Sequence, residues 1–87
     1  MPKIICAACK VYIDDSRYVI YTGRRHNEIM ETLHDKHLTY KYLVNGFMTS
    51  DDRFVDRVEA KKIAVAANQL IVPIEETYAA LYSEDVW

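Results

Sequence analysis

Glycine and proline are scarce, with only two of each in 87 residues. With so few chain breakers, no linker or low-complexity stretch divides the chain, which reads as one ordered domain over residues 1–87. Cysteine is as sparse. Cys6 and Cys9 form a lone CxxC inside the apolar run IICAACKVYI. They lack the second pair a zinc ribbon needs and the helix start a thioredoxin-like site needs. Three positions apart on a strand, the two sulfurs point to opposite faces, so both are expected to be reduced and structural.

Long apolar runs are missing too. None approaches the roughly 18–20 residues that cross a bilayer, and the amino end lacks the basic-then-apolar layout of a secretion signal, so a cytoplasmic location without membrane contact is expected. Nor is there a basic excess. Eleven Lys and Arg against thirteen Asp and Glu give a net charge of −2, which argues against a nucleic-acid polymer as partner, because such affinity rests on many phosphate contacts. Catalytic signatures are absent: no glycine-flanked serine elbow, no Walker loop, no activated cysteine and no recognisable acid/base pair. His34 and His37 lie three apart on one helical face, a spacing read here as solvent-facing or packed, with no metal and no cofactor.

What is present is a periodic pattern. Residues 4–13 alternate on Ile5, Ala7, Cys9, Val11 and Ile13, Asp14-Asp15-Ser16 supplies turn chemistry, and RYVIYT follows, which predicts a hairpin of residues 4–13 with 17–22. Ile29, Met30, Leu33 and His37 then recur at helical spacing over about 25–37, with Thr22 or Asn27 as cap. LTYKYLVNGFMTS reads as strand, turn, strand about Asn45-Gly46. Asp56 and Glu59 have the spacing of a capping box, and Ala60, Ile63, Ala64, Ala67, Leu70 and Ile71 form a helical stripe that Pro73 stops. The tail reads as a short helix and an ordered end. The fold class is α+β: a small antiparallel sheet, made of the amino-terminal hairpin plus one or two further strands, with two amphipathic helices. Seven tyrosines exceed the needs of one small core and point to an oligomer.

Charge is unevenly placed. Residues 1–27 hold five basic and two acidic side chains, a net +3, and residues 28–87 hold six and eleven, a net −5. The positive charge peaks in YTGRRHNEI, where Arg24, Arg25 and His26 open a helix whose dipole disfavours cations. A phosphate at the backbone N–H groups of the first turn would remove that conflict; pairing with Glu28, Asp14 or Asp15 is the plainer reading. A second group, GFMTSDDRFVDR, sets Phe47, Thr49, Arg53 and Phe54 around a polar turn, where rings, a hydroxyl and a guanidinium suit a base and its phosphates. Phenylalanines beside a turn also serve as core.

Four stretches together, IICAA, YTGRRHNEI, GFMTSDDRFVDRVEAKKIAVAANQ and LYSEDVW, resemble the phage type-one Thoeris anti-defence proteins over nearly the whole chain. The resemblance implies a non-enzymatic sponge, acting in the cytoplasm of an infected bacterial host, that sequesters a cyclic nucleotide second messenger without cleaving it. The implied messengers are glycocyclic ADP-ribose isomers and, in some members, cyclic trinucleotides of CBASS immunity, bound by a homo-oligomer, dimer or hexamer. By position, Arg24 and Arg25 would meet phosphates, Phe47 or Phe54 would stack on adenine, and Arg53 and Asn68 would add polar contacts. Asn27, Asp51 and Asp52 depart from the family's pattern. Two other functions fit the residues alone: a tyrosine-rich adaptor that binds a host factor, and a phosphoester hydrolase using His26 or the helix histidines.

Overall fold

The computed structural model describes all 87 residues. Four strands, β1 (Ile4–Tyr12), β2 (Tyr18–Gly23), β3 (Tyr42–Thr49) and β4 (Phe54–Asp56), form one antiparallel sheet in the order β2-β1-β3-β4. Two helices, α1 (His26–Asp35) and α2 (Arg57–Ala66), lie on one of its faces, α1 over β1 and β2 and α2 over β3 and β4. The core between them holds Ala7, Cys9, Val11, Phe47 and Val55 from the sheet, Ile29 and Leu33 from α1, and Ala60, Ile63 and Ala64 from α2. This is the α+β class that the sequence pattern indicates.

The hairpin forms as the sequence predicts, because its turn is chemically local. One oxygen of Asp14 accepts from the backbone N–H of Ser16 and of Arg17, both at 2.9 Å, which folds the chain back on itself. The other oxygen holds the Arg17 guanidinium, and that contact, with the Ser16 amide, lowers the Asp14 carboxyl to a pKa of about 2. Both cysteines are free thiols, Cys9 buried and Cys6 half-buried on the opposite face, and burial pushes both above their ordinary pKa.

Four sequence expectations need correction. Ile5, counted with the inward residues, is 54% exposed, whereas Ile4 is buried. The register shifts between Ile4 and Cys6, and this bulge reverses the alternation ahead of it. The Gln69 side chain then clasps the Ile4 backbone, accepting from its N–H at 2.7 Å and donating to its carbonyl at 2.8 Å. Second, Asn45-Gly46 is no turn. Both residues lie inside β3, with Gly46 opposite Ala8 on one side and Asp56 on the other.

Third, neither Thr22 nor Asn27 caps α1: the cap position is Arg25, and no side chain bonds the first turn. His37 falls beyond the helix with φ of 51°, so it does not extend the apolar stripe. Fourth, α2 ends at Ala66, well before Pro73, because Asn68 takes the left-handed conformation (φ 56°) that closes helices. Leu70 and Ile71 therefore lie outside it. Its start is as expected: Asp56 accepts from the Glu59 N–H at 2.8 Å, a cap worth about 1 kcal/mol. The tail is ordered through two single 3-10 turns, Ile74–Glu76 and Ser83–Asp85, and plants Leu81 and Val86 in the core.

Candidate functional site

Strand β2 ends at Gly23 on the rim of the sheet, and the chain turns there through Arg24 and Arg25 into α1. A Cβ on Gly23 would touch Ile29 at 3.0 Å, so glycine lets the first turn of α1 pack close to the strand. Arg25 has extended backbone (φ −129°, ψ 146°), and the first turn lacks a side-chain acceptor. An uncapped helix start presents amide hydrogens and partial positive charge. Two arginines, Arg24 and Arg25, lead directly into it.

Neither guanidinium pairs with a carboxylate, since the ion pairs of the chain are Arg17–Asp14, Lys41–Asp15 and Arg53–Asp51. Arg24 is exposed, and its carbonyl accepts the Trp87 indole N–H at 2.7 Å, which fixes the turn's backbone and leaves the side chain unengaged. Arg25 is half-buried and donates to the Ser83 hydroxyl at 3.3 Å, a long contact to a neutral group. Glu84 lies nearby. Its own backbone N–H and the Ser83 hydroxyl hold its carboxyl below the usual range, with the Arg25 charge adding to this.

His26 opens α1 and reaches into the core. Its Nε2 donates to the Gly46 carbonyl at 2.7 Å, and its ring meets Phe47 edge-on at 5.0 Å. Burial lowers its pKa and the Arg57 charge adds to this, opposed by the hydrogen bond to Gly46 and by Glu84. A neutral His26 has a consequence for stability. Unfolding restores ordinary imidazole basicity, so below a pH of 6.5 the unfolded chain takes up the proton first and stability falls with pH until the folded pKa is passed. Melting curves across this window should show a decline that is smaller in His26→Gln.

Three groups that the sequence reading missed complete the site. Arg57, at the start of α2, donates to the Leu81 carbonyl at 2.8 Å and stands over the Tyr82 ring at 4.6 Å. Ser83 is buried at 2% exposure, and Glu84 follows it. Arg57 and Arg25 thus both hold the segment 81–83, and Arg25 also acts on the neighbouring Glu84 carboxylate. No local signal reveals this, because Arg25 and Ser83 are 58 residues apart.

The remaining sequence candidates do not join this cluster, apart from Phe47. Phe47 has no exposed ring face and packs against Trp87 at 6.3 Å, so within one chain it is core and cannot stack on a base. Thr49 is buried, bonds the Asp51 carboxylate and accepts from the Arg53 N–H at 3.2 Å, while the Arg53 side chain pairs with Asp51 at 2.9 Å. These three close a turn on one another. Phe54 lies on the opposite face of the sheet, its ring over Gly46. Asn68 sits at the far end of α2 beside a cavity of about 270 Å³ lined by Val65, Leu70, Val72 and Ile74. A second cavity, about 420 Å³, lies between α1 and the following loop, lined by Met30, Leu33, His34, His37, Leu38 and Tyr40. Neither adjoins the arginine turn, so any ligand held there is open to the surface of the single chain.

No group of three or more metal-ligating side chains converges. No helix is long and apolar enough to cross a membrane. Comparison with curated proteins and with solved structures gives no match. Residues 3–87 match the family model of the phage T4 y16D protein, and the chain belongs to that phage protein family.

Proposed function

We propose that the chain binds a cyclic nucleotide immune signal of its bacterial host at the Arg24–Arg25 turn and withholds it, uncleaved, from the effector that the signal would activate. One observation carries this reading: two arginines stand at an uncapped helix start, and no carboxylate pairs with either. Cations at that end oppose the helix dipole, and an anion lying between them and the amide hydrogens removes the opposition. A phage protein family suits an anti-defence role. Glycocyclic ADP-ribose isomers are the first ligands to test and cyclic trinucleotides the second, following the resemblance of the four sequence stretches.

A sponge effective at low signal levels needs nanomolar affinity, about −12 kcal/mol. An open turn on one small chain does not reach that, so the ligand is enclosed between copies, with base stacking supplied by exposed rings. The experiment is direct. Protein is incubated with each cyclic ADP-ribose isomer, desalted, heated to denature it, and the released nucleotide is chromatographed. Intact nucleotide supports the reading, cleaved nucleotide assigns hydrolysis instead, and an empty supernatant for every isomer and trinucleotide rejects it.

One feature favours an adaptor as the second reading. Val58, Val65, Ile71, Ile74 and Tyr78, on α2 and the tail, are all more than 40% exposed, and apolar exposure of this kind marks contact surfaces. An adaptor would act unchanged in the variant Arg24→Ala/Arg25→Ala.

A further inference from the structure

One carboxylate of the tail stands beside the basic turn. Ser83 is buried, and its hydroxyl accepts from Arg25 Nη1 at 3.3 Å and donates to a Glu84 carboxylate oxygen at 3.2 Å. A hydroxyl has one hydrogen, so these two bonds together fix where it points. Arg25 and Glu84 are thus held one hydroxyl apart, opposite charges that do not meet as an ion pair.

The tail keeps them there. Leu81 is tied to Arg57 in both directions, its N–H donating to the Arg57 carbonyl and its carbonyl accepting from the Arg57 guanidinium, each at 2.8 Å. The Asp85 carboxylate is engaged by the Tyr82 N–H at 3.0 Å, and the Trp87 indole bonds the Arg24 carbonyl at 2.7 Å. Among these anchored residues Glu84 is an exposed acid. Its remaining acceptor capacity faces solvent beside the arginine turn.

We propose that Glu84 is the specificity residue of this site: it accepts hydrogen bonds from the ribose hydroxyls of a ligand whose phosphates lie against Arg24 and Arg25. The proposal rests on the turn being the ligand site, and it names the ligand class as sugar-bearing phosphate esters. An ionised carboxylate offers acceptors only, and the hydrogen bonds on Glu84 favour its ionised form. It therefore repels a bare phosphate that approaches Arg25. A ligand with hydroxyl donors next to its phosphates satisfies both signs at once, the division of labour by which dinucleotide sites set phosphates at a helix start and ribose hydroxyls on an acid. Without such a filter, a cationic turn open to the surface would fill with free phosphate.

Binding of adenosine monophosphate and of its dideoxy analogue, which has the same base and charge but no ribose hydroxyls, tests it. Amide NMR spectra of the protein give both affinities and place the ligand through the signals of Arg24, Arg25 and His26. The wild type should prefer the hydroxylated nucleotide by about ten- to a hundredfold, the scale of hydrogen bonds to a charged group. In Glu84→Ala that preference should vanish with the fold retained, because the side chain is exposed and its one partner outside its own residue is the Ser83 hydroxyl. Glu84→Gln keeps an uncharged acceptor and should keep a weaker preference. The wild-type comparison needs no substitution, so a disturbed tail cannot mask it. Equal binding of the two nucleotides by the wild type overturns the proposal and leaves the turn a nucleotide site. A preference that persists undiminished in Glu84→Ala overturns it too, since another group then reads the sugar. So does a wild type that binds neither nucleotide at the turn, and the sponge reading is then judged separately on the cyclic isomers.

Discussion

Phe47→Ala leaves the chain unfolded or melting roughly 12–40 °C lower. Removing a buried phenylalanine costs about 3–5 kcal/mol through lost transfer energy and the cavity left behind, and each kcal/mol moves the midpoint of a domain this small by about 4–8 °C. The total stability expected for 87 residues is only about 4–13 kcal/mol. Phe47 is fully buried opposite Ala7 on β1 and Val55 on β4. It also supports the functional end of the molecule, because His26 and Trp87 both pack on its ring. Trp87 in turn bonds the Arg24 carbonyl. The basic turn is thus held through this ring, and any part of the variant that stays folded should lose order there first. Differential scanning calorimetry measures the effect; a shift under about 3 °C would place Phe47 outside the core.

The second large effect comes from one methyl group. Gly46→Ala should lower stability by about 2–3 kcal/mol, at the upper end of overpacking costs, because the obstacle is partly backbone. A Cβ at Gly46 would come within 2.6 Å of the Phe54 ring and closer still to the carbonyl oxygen of Val55. The ring can turn aside; the carbonyl belongs to β4 and moves only if the β3–β4 pairing opens. That pairing runs directly into the Asp56 cap of α2, and the Gly46 carbonyl also accepts from His26. Loss should therefore appear both as a lower melting temperature and as weaker hydrogen-exchange protection at the start of α2. Gly23→Ala is the contrast. Its new Cβ meets only the Ile29 side chain at 3.0 Å, so the cost should be smaller.

These two positions also show what the sequence disclosed and what it did not. Local chemistry was legible: the Asp14 turn, the Asp56 cap and the helical stripe through Ala60, Ile63 and Ala64 need only neighbours within a few residues. Gly46 was misread because an Asn-Gly pair signals freedom of the backbone, whereas here glycine is required for closeness to Phe54 and Val55, and those contacts are tertiary. The end of α2 was misplaced for a related reason, since Asn68 closes a helix by adopting left-handed backbone and nothing nearby in the sequence says that it does. At the site, Arg24, Arg25 and His26 were legible as a cationic cluster beside glycine. Their companions Arg57, Ser83 and Glu84 were not, since only the fold brings α2 and the tail to the start of α1. Phe47 and Phe54, seven residues apart, look like one aromatic pair; the strand pairing sends one into the core and the other to the opposite face of the sheet.

The functional account rests on electrostatics at that helix start, so the most direct measurement is calorimetric titration of the ligand-free protein with cyclic ADP-ribose isomers, repeated on Arg24→Ala/Arg25→Ala. Charge-assisted hydrogen bonds contribute about 1.5–3 kcal/mol each, so removing both guanidinium groups should weaken binding by roughly a hundredfold to ten-thousandfold. The melting temperature should change little, because Arg24 bonds through its backbone and Arg25 through one long contact. Tight binding by the wild type, lost in the folded double variant, is the predicted result. Binding undiminished in the double variant, or no binding of any isomer by the wild type, contradicts it.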